Sequence, residues 1–77
     1  MEQQQLKNII EAVLMSAEKP LKVNQLEALF AGDVDMPSRN EIRKALQDLA
    51  EDYHGRGFEL KEVASGFRIQ VGQDYAQ

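Results

Sequence analysis

The 77-residue sequence has no cysteine and no tryptophan, a single histidine and two prolines. Without cysteine the chain can form neither a disulfide nor a thiolate metal site, so nothing covalent reinforces its fold. A reducing compartment fits that usage. Aromatic residues make up only 6%, and no apolar run approaches the roughly 20 residues of a membrane-spanning helix. Positive charge is also short: nine Lys and Arg stand against thirteen Asp and Glu, for a net charge of −4. That balance weighs against a polyanionic partner. The first five residues carry Glu2 and three glutamines, where a secretory signal would place positive charge ahead of an apolar stretch, so the expected address is cytoplasmic.

What remains is an ordinary globular composition, 43% apolar and 29% charged, unlike that of a disordered tail. A chain of this mass exposes about 4,700 Å² when folded against roughly 12,600 Å² extended, and so buries about 60%. So small a core points to self-association or a second domain as further support.

Leu6, Ile9, Ile10, Val13, Leu14 and Ala17 recur at threes and fours, the spacing of an amphipathic helix. It is expected to stop near Lys19, because Pro20 disfavours the helical conformation of the residue before it. A short extended piece at Leu21 to Val23 follows. Asn24 is then the expected cap of a second helix, with Glu27 completing a capping-box pair ahead of Leu26, Leu29 and Phe30. That helix ends around Gly32. The stretch Asp33 to Pro37 breaks the periodicity and reads as a turn. Ser38 and Glu41 form a second capping box, opening a third helix with a buried stripe of Ile42, Leu46, Leu49 and Tyr53. His54 and Gly55 supply a cation and a left-handed stop at its end.

Beyond Gly57 the period changes to alternation. Phe58 and Leu60 share one strand face, Phe67, Ile69 and Val71 another, and Ser65-Gly66 is the expected turn between them. An isolated hairpin is marginal, so its inner face needs a helix to cover it. The sequence therefore predicts a mainly α domain with a small antiparallel hairpin, a winged helix-turn-helix spanning residues 1–72. Residues 73–77 read as the start of a linker or a further helix.

The third helix would be the recognition helix of a DNA reader. It carries Arg39, Arg43 and Lys44 near its start, against Glu41, Asp48, Glu51 and Asp52. A solvated acidic face explains that pattern better than a phosphate-binding patch. On the hairpin, Lys61 and Arg68 are offset by Glu59 and Glu62. Catalysis finds no constellation: the lone histidine, His54, sits at a helix end, where a charge–dipole role accounts for it. Asp33 and Asp35 begin like a calcium loop, but Pro37 and Ser38 stand where that loop needs an acidic ligand and a glycine. Gly55 and Gly57 form a Gly-x-Gly that follows a helix instead of opening one, and no phosphate-loop lysine motif exists. No cofactor or metal is expected. Two apolar residues fall outside the core pattern. Met15 lies opposite the first helix's buried stripe and Val63 on the polar side of its strand, which makes both candidates for a protein contact.

Leu6-Lys7-Asn8-Ile9-Ile10-Glu11-Ala12, Glu18-Lys19-Pro20-Leu21, Gly57-Phe58-Glu59-Leu60 and Val63-Ala64-Ser65-Gly66-Phe67-Arg68-Ile69-Gln70 occur in an order that resembles the amino-terminal domain of the segregation and condensation protein B family. The likeness covers nearly the whole chain, and the hairpin is its most specific part. The resemblance implies a non-enzymatic accessory subunit of the bacterial structural-maintenance-of-chromosomes (SMC) complex, acting in chromosome condensation and segregation. Such a subunit is built of two winged helices, forms a homodimer, and binds the kleisin subunit, and through it the SMC ATPase. The acidic charge balance adds the expectation of no strong direct binding of nucleic acid, and the lack of a spanning apolar run that of no membrane. On this reading residues 73–77 lead toward a second winged helix. Lys22 departs from the pattern where the family often has a hydroxyl residue to cap the second helix, with Asn24 expected to take over; the acidic turn 33–37 is longer than in the family. The rival reading on the same fold is a winged-helix transcriptional regulator whose DNA contacts are Arg39, Arg43 and Lys44.

Overall fold

The computed structural model describes residues 1–72. Helix α1 spans Gln3–Ser16, α2 spans Val23–Leu29 and α3 spans Arg39–Asp52; strands β1 (Phe58–Val63) and β2 (Gly66–Val71) follow. Three helices and a terminal hairpin make the winged helix the sequence predicts. The expectation for residues 73–77 lies outside the described residues.

Helix α1 buries Leu6, Ile10 and Leu14, with Ile9 and Val13 partly covered. It ends at Ser16, three residues short of the expected stop. The Ser16 hydroxyl donates to the carbonyls of Ala12 and Val13 at 2.8 and 3.2 Å, the second of which would accept from the Ala17 N–H in a longer helix. Ala17 is already extended, which sends the chain across to the hairpin. There Leu21 exchanges both of its backbone hydrogen bonds with Phe67, at 2.9 and 2.7 Å.

This bridge also corrects the start of α2. With Leu21 held extended, Lys22 becomes the N-cap residue, and Asn24 lies inside the helix instead of capping it. The backbone N–H of Lys22 donates to the Gln25 side chain at 2.8 Å, so Gln25, not Glu27, closes the first turn. Leu26 and Phe30 enter the core. Leu29, expected beside them, is 53% exposed.

Helix α3 follows the sequence closely. Ser38 accepts from the Glu41 N–H at 3.1 Å while its own N–H donates to the Glu41 carboxylate at 2.8 Å, a reciprocal capping box. Ile42, Leu46 and Leu49 are buried, joined by Ala45. Tyr53 caps the end, and Gly55 takes the left-handed conformation at φ +80°. The core lies where α1 and α2 pack on α3, with Val23 at the start of α2 and Leu21, Leu60, Phe67 and Ile69 of the extended segments packed against it.

In the hairpin, Phe58 pairs with Val71, Leu60 with Ile69, Glu62 with Phe67 and Val63 with Gly66. The turn is therefore Ala64-Ser65, and Gly66 opens β2 rather than closing the turn. Its φ of +136° and the Leu21 backbone pressed against it account for glycine there. The inner face is covered only in part. The ring of Tyr53 meets Phe58 edge-on at 5.6 Å, yet Phe58 and Val71 stay 42% and 58% exposed at the open end of the hairpin.

Candidate functional site

Each cation proposed for DNA has a specific place. Arg39 reaches back to α2, where its Nε and Nη2 donate to the Glu27 carboxylate at 3.0 and 2.7 Å. Lys44 pairs with Asp48 one turn on, at 3.1 Å. In each case a carboxylate within hydrogen-bond distance offsets part of the positive charge that a phosphate would meet. Arg43 is exposed and stands on the rim of a groove.

That groove, of about 520 Å³, runs between α3 and the hairpin and is lined by Val23, Arg43, Leu46, Gln47, Ala50, Leu60, Glu62 and Phe67. Its position follows from the fold. Leu46 comes up from the buried face of α3, Leu60 and Phe67 from the inner face of the hairpin, and Val23 from the start of α2. The floor is apolar, and its rim sets one cation, Arg43, against one anion, Glu62. In a winged helix this cleft faces the recognition side. Here it is shaped for apolar side chains with a polar border, which suits a protein segment better than a phosphate backbone.

The two residues singled out as contacts differ. Met15 is 53% exposed on α1. Val63 is half-buried at the closed end of the hairpin, paired with Gly66. Further exposed apolar side chains are Leu29, Val34, Met36, Phe58 and Val71. Val34 and Met36 sit in the turn before α3, which no periodicity marked as surface or core. His54 is exposed at the end of α3, and among the described residues no group of three or more His, Cys, Asp or Glu side chains is placed to hold a metal. No helix of the described residues is long and apolar enough to cross a membrane.

Two polar contacts tie α1 to α3. The Tyr53 hydroxyl donates to the Glu11 carboxylate; burial first, and then this bond, push the phenol's pKa well above its ordinary value. Lys7 donates to Asp52 at 2.6 Å, a bond that raises the ammonium's pKa. Both pairs serve the packing of α1 on α3.

Comparison with known proteins resolves the family. The family model described as segregation and condensation complex subunit ScpB matches residues 8–77. The chain belongs to the ScpB family. Among its relatives is a segregation and condensation protein B homolog of Coxiella burnetii, 44% identical over 71 residues, covering 91% of this chain and 33% of the relative. The chain thus spans about a third of that ScpB homolog's length. The crystal structure of ScpB from Mycobacterium tuberculosis superposes with a TM-score of 0.81 at 22% identity, covering 97% of this chain and 45% of that one. A dimer of the ScpB N-terminal domain, complexed with a ScpA peptide, superposes with a TM-score of 0.74 at 24% identity, covering 90% of this chain and 77% of that one. The fold is that of the ScpB N-terminal winged helix.

Proposed function

We propose that this domain is a non-enzymatic adaptor of the bacterial SMC complex, which self-associates and binds the kleisin subunit in chromosome condensation and segregation. The observation that carries the reading is the ScpB family match over residues 8–77 on a winged helix whose groove between α3 and the hairpin combines the apolar side chains of Val23, Leu46, Leu60 and Phe67 with a polar border of Arg43, Gln47 and Glu62. The related N-terminal domain, described as a dimer complexed with a ScpA peptide, supports the same two partners. ATP is handled by another chain in this scheme. The domain acts in the cytoplasm and meets the nucleoid through its partners. Catalysis has no support among the side chains described above.

The regulator reading is weaker because Arg39 and Lys44 are held by Glu27 and Asp48. Co-purification from the native cell, with the bound chains identified, tests the adaptor role. A kleisin and an SMC ATPase are expected among them. Their absence, together with tight binding to duplex DNA that is lost on replacing Arg43 and Lys44 by alanine, would favour the regulator instead.

A further inference from the structure

The outer edge of β1 is open. Phe67 spends both of its backbone groups on Leu21, so its cross-strand partner Glu62 is a non-hydrogen-bonded pair with its own N–H and C=O turned away from β2. Alternation then turns the backbone groups of Leu60 and Phe58 the same way. The bond from the Gly72 N–H to the Gly57 carbonyl, 2.8 Å, confirms the phase, since Gly57, Glu59, Lys61 and Val63 are then the residues bonded to β2. Among the described residues no backbone group pairs with the outward N–H and C=O of Phe58, Leu60 and Glu62. Such an edge is a template for another strand.

Charges on an edge ordinarily deter pairing, and β1 carries Glu59, Lys61 and Glu62. Their order makes the strand complementary to itself in one antiparallel register. With Leu60 opposite Leu60 of a second copy, Glu59 faces Lys61 of that copy and Lys61 faces its Glu59, on the outer face of the sheet. Slipping the strands by two residues either way, the smallest shift that again matches outward backbone groups, sets Glu59 against Glu59, or Lys61 against Lys61, and is repulsive. In the matched register the inner face brings the two Leu60 side chains together beside the groove. It also lays the exposed Phe58 against the second copy, opposite Glu62.

We propose that β1 is the dimerisation edge of this domain: two copies pair their β1 strands antiparallel about Leu60, joining the hairpins into one continuous sheet. This rests on the self-association proposed above and gives it an address. The resulting interface is isologous and closed by a two-fold axis. Val63 lies at the end of the paired segment, whereas Met15, on α1, lies outside it.

The test is sedimentation equilibrium on four forms. The parent chain is expected to dimerise. Lys61→Glu turns both attractive cross-strand pairs into like-charge pairs and should raise Kd about tenfold or more. The exchanged form, Glu59→Lys with Lys61→Glu, restores opposite charges and should return Kd to near the parent value. Glu62→Pro removes an outward N–H that β2 does not use, a place an edge strand tolerates proline, and should abolish dimerisation while circular dichroism stays that of the parent. If the parent is monomeric to millimolar concentration, self-association itself fails. If it dimerises but neither Lys61→Glu nor Glu62→Pro weakens it, the β1 edge is wrong while self-association stands. Loss of the dimer in Met15→Glu alone would move the contact to α1.

Discussion

Replacing Gly66 by alanine attacks the point where the hairpin is pressed against the backbone of the segment that leads into α2. A Cβ on Gly66 would lie 2.5 Å from the Leu21 carbonyl oxygen and 2.7 Å from the Lys22 nitrogen, and closer still to the Leu21 carbonyl carbon. All three are backbone atoms and cannot swing aside. The φ of +136° adds its own penalty for any L side chain, of about 1 kcal/mol or more. Relief of the clash requires Leu21 to move off β2, which breaks the two Leu21–Phe67 hydrogen bonds at about 1 kcal/mol each. The sum is about 3 kcal/mol, against the roughly 4 to 11 kcal/mol expected for a domain of this size. In urea, with a slope of about 1 kcal/mol/M, the midpoint should fall by about 3 M. Gly32→Ala is the control, because Gly32 also has a positive φ, +90°, but open space around it. It should lose only the backbone contribution. Equal losses in the two variants would refute the reasoning, since the approach of Leu21 to β2 would then cost an added methyl nothing.

Three further outcomes follow from the same geometry. Ser38→Ala removes the acceptor for the Glu41 N–H and should lower stability by about 1 kcal/mol in denaturant melts; an unchanged midpoint would place the start of α3 elsewhere. The Tyr53 phenol holds its proton more tightly when folded, and the unfolded phenol ionises near pH 10. Stability is therefore intact below about pH 10 and falls as pH rises beyond it. Tyr53→Phe should lose that part of the alkaline slope relative to the parent, while Lys7 contributes to both forms alike. Duplex DNA should bind weakly, without sequence preference, and be released by modest salt, because Arg39 and Lys44 are already paired and strong binders make roughly six to ten phosphate contacts. Nanomolar affinity near physiological salt in a fluorescence titration would contradict this.

Local signals carried most of the helical fold. Ser38 and Glu41 marked the start of α3 because a capping box is a contact between residues three apart, and the stripe from Ile42 to Tyr53 set its buried face. The second helix was misplaced by one such signal. Asn24 and Glu27 have the right spacing, but the bridge from Leu21 to Phe67, across 46 positions of sequence, fixes where the backbone can turn helical and hands the first turn to Lys22 and Gln25. Glu27 is then free to hold Arg39. Alternation located both strands, yet it could not show that Phe58 and Val71 run past the cover α3 provides. The groove was not legible, because Val23, Leu46, Leu60 and Phe67 come from four elements. Nor was the open edge of β1, since it is left as the edge by the bridge of Leu21 to Phe67 on the far side of β2.

If this winged helix works by binding proteins, itself and a kleisin, sedimentation velocity of the chain alone and mixed with the kleisin subunit of the same cell will show it. The expected result is a concentration-dependent dimer that moves to a heavier boundary containing both chains when kleisin is added. A monomer at every concentration, with a boundary unchanged by kleisin, would rule out the adaptor role.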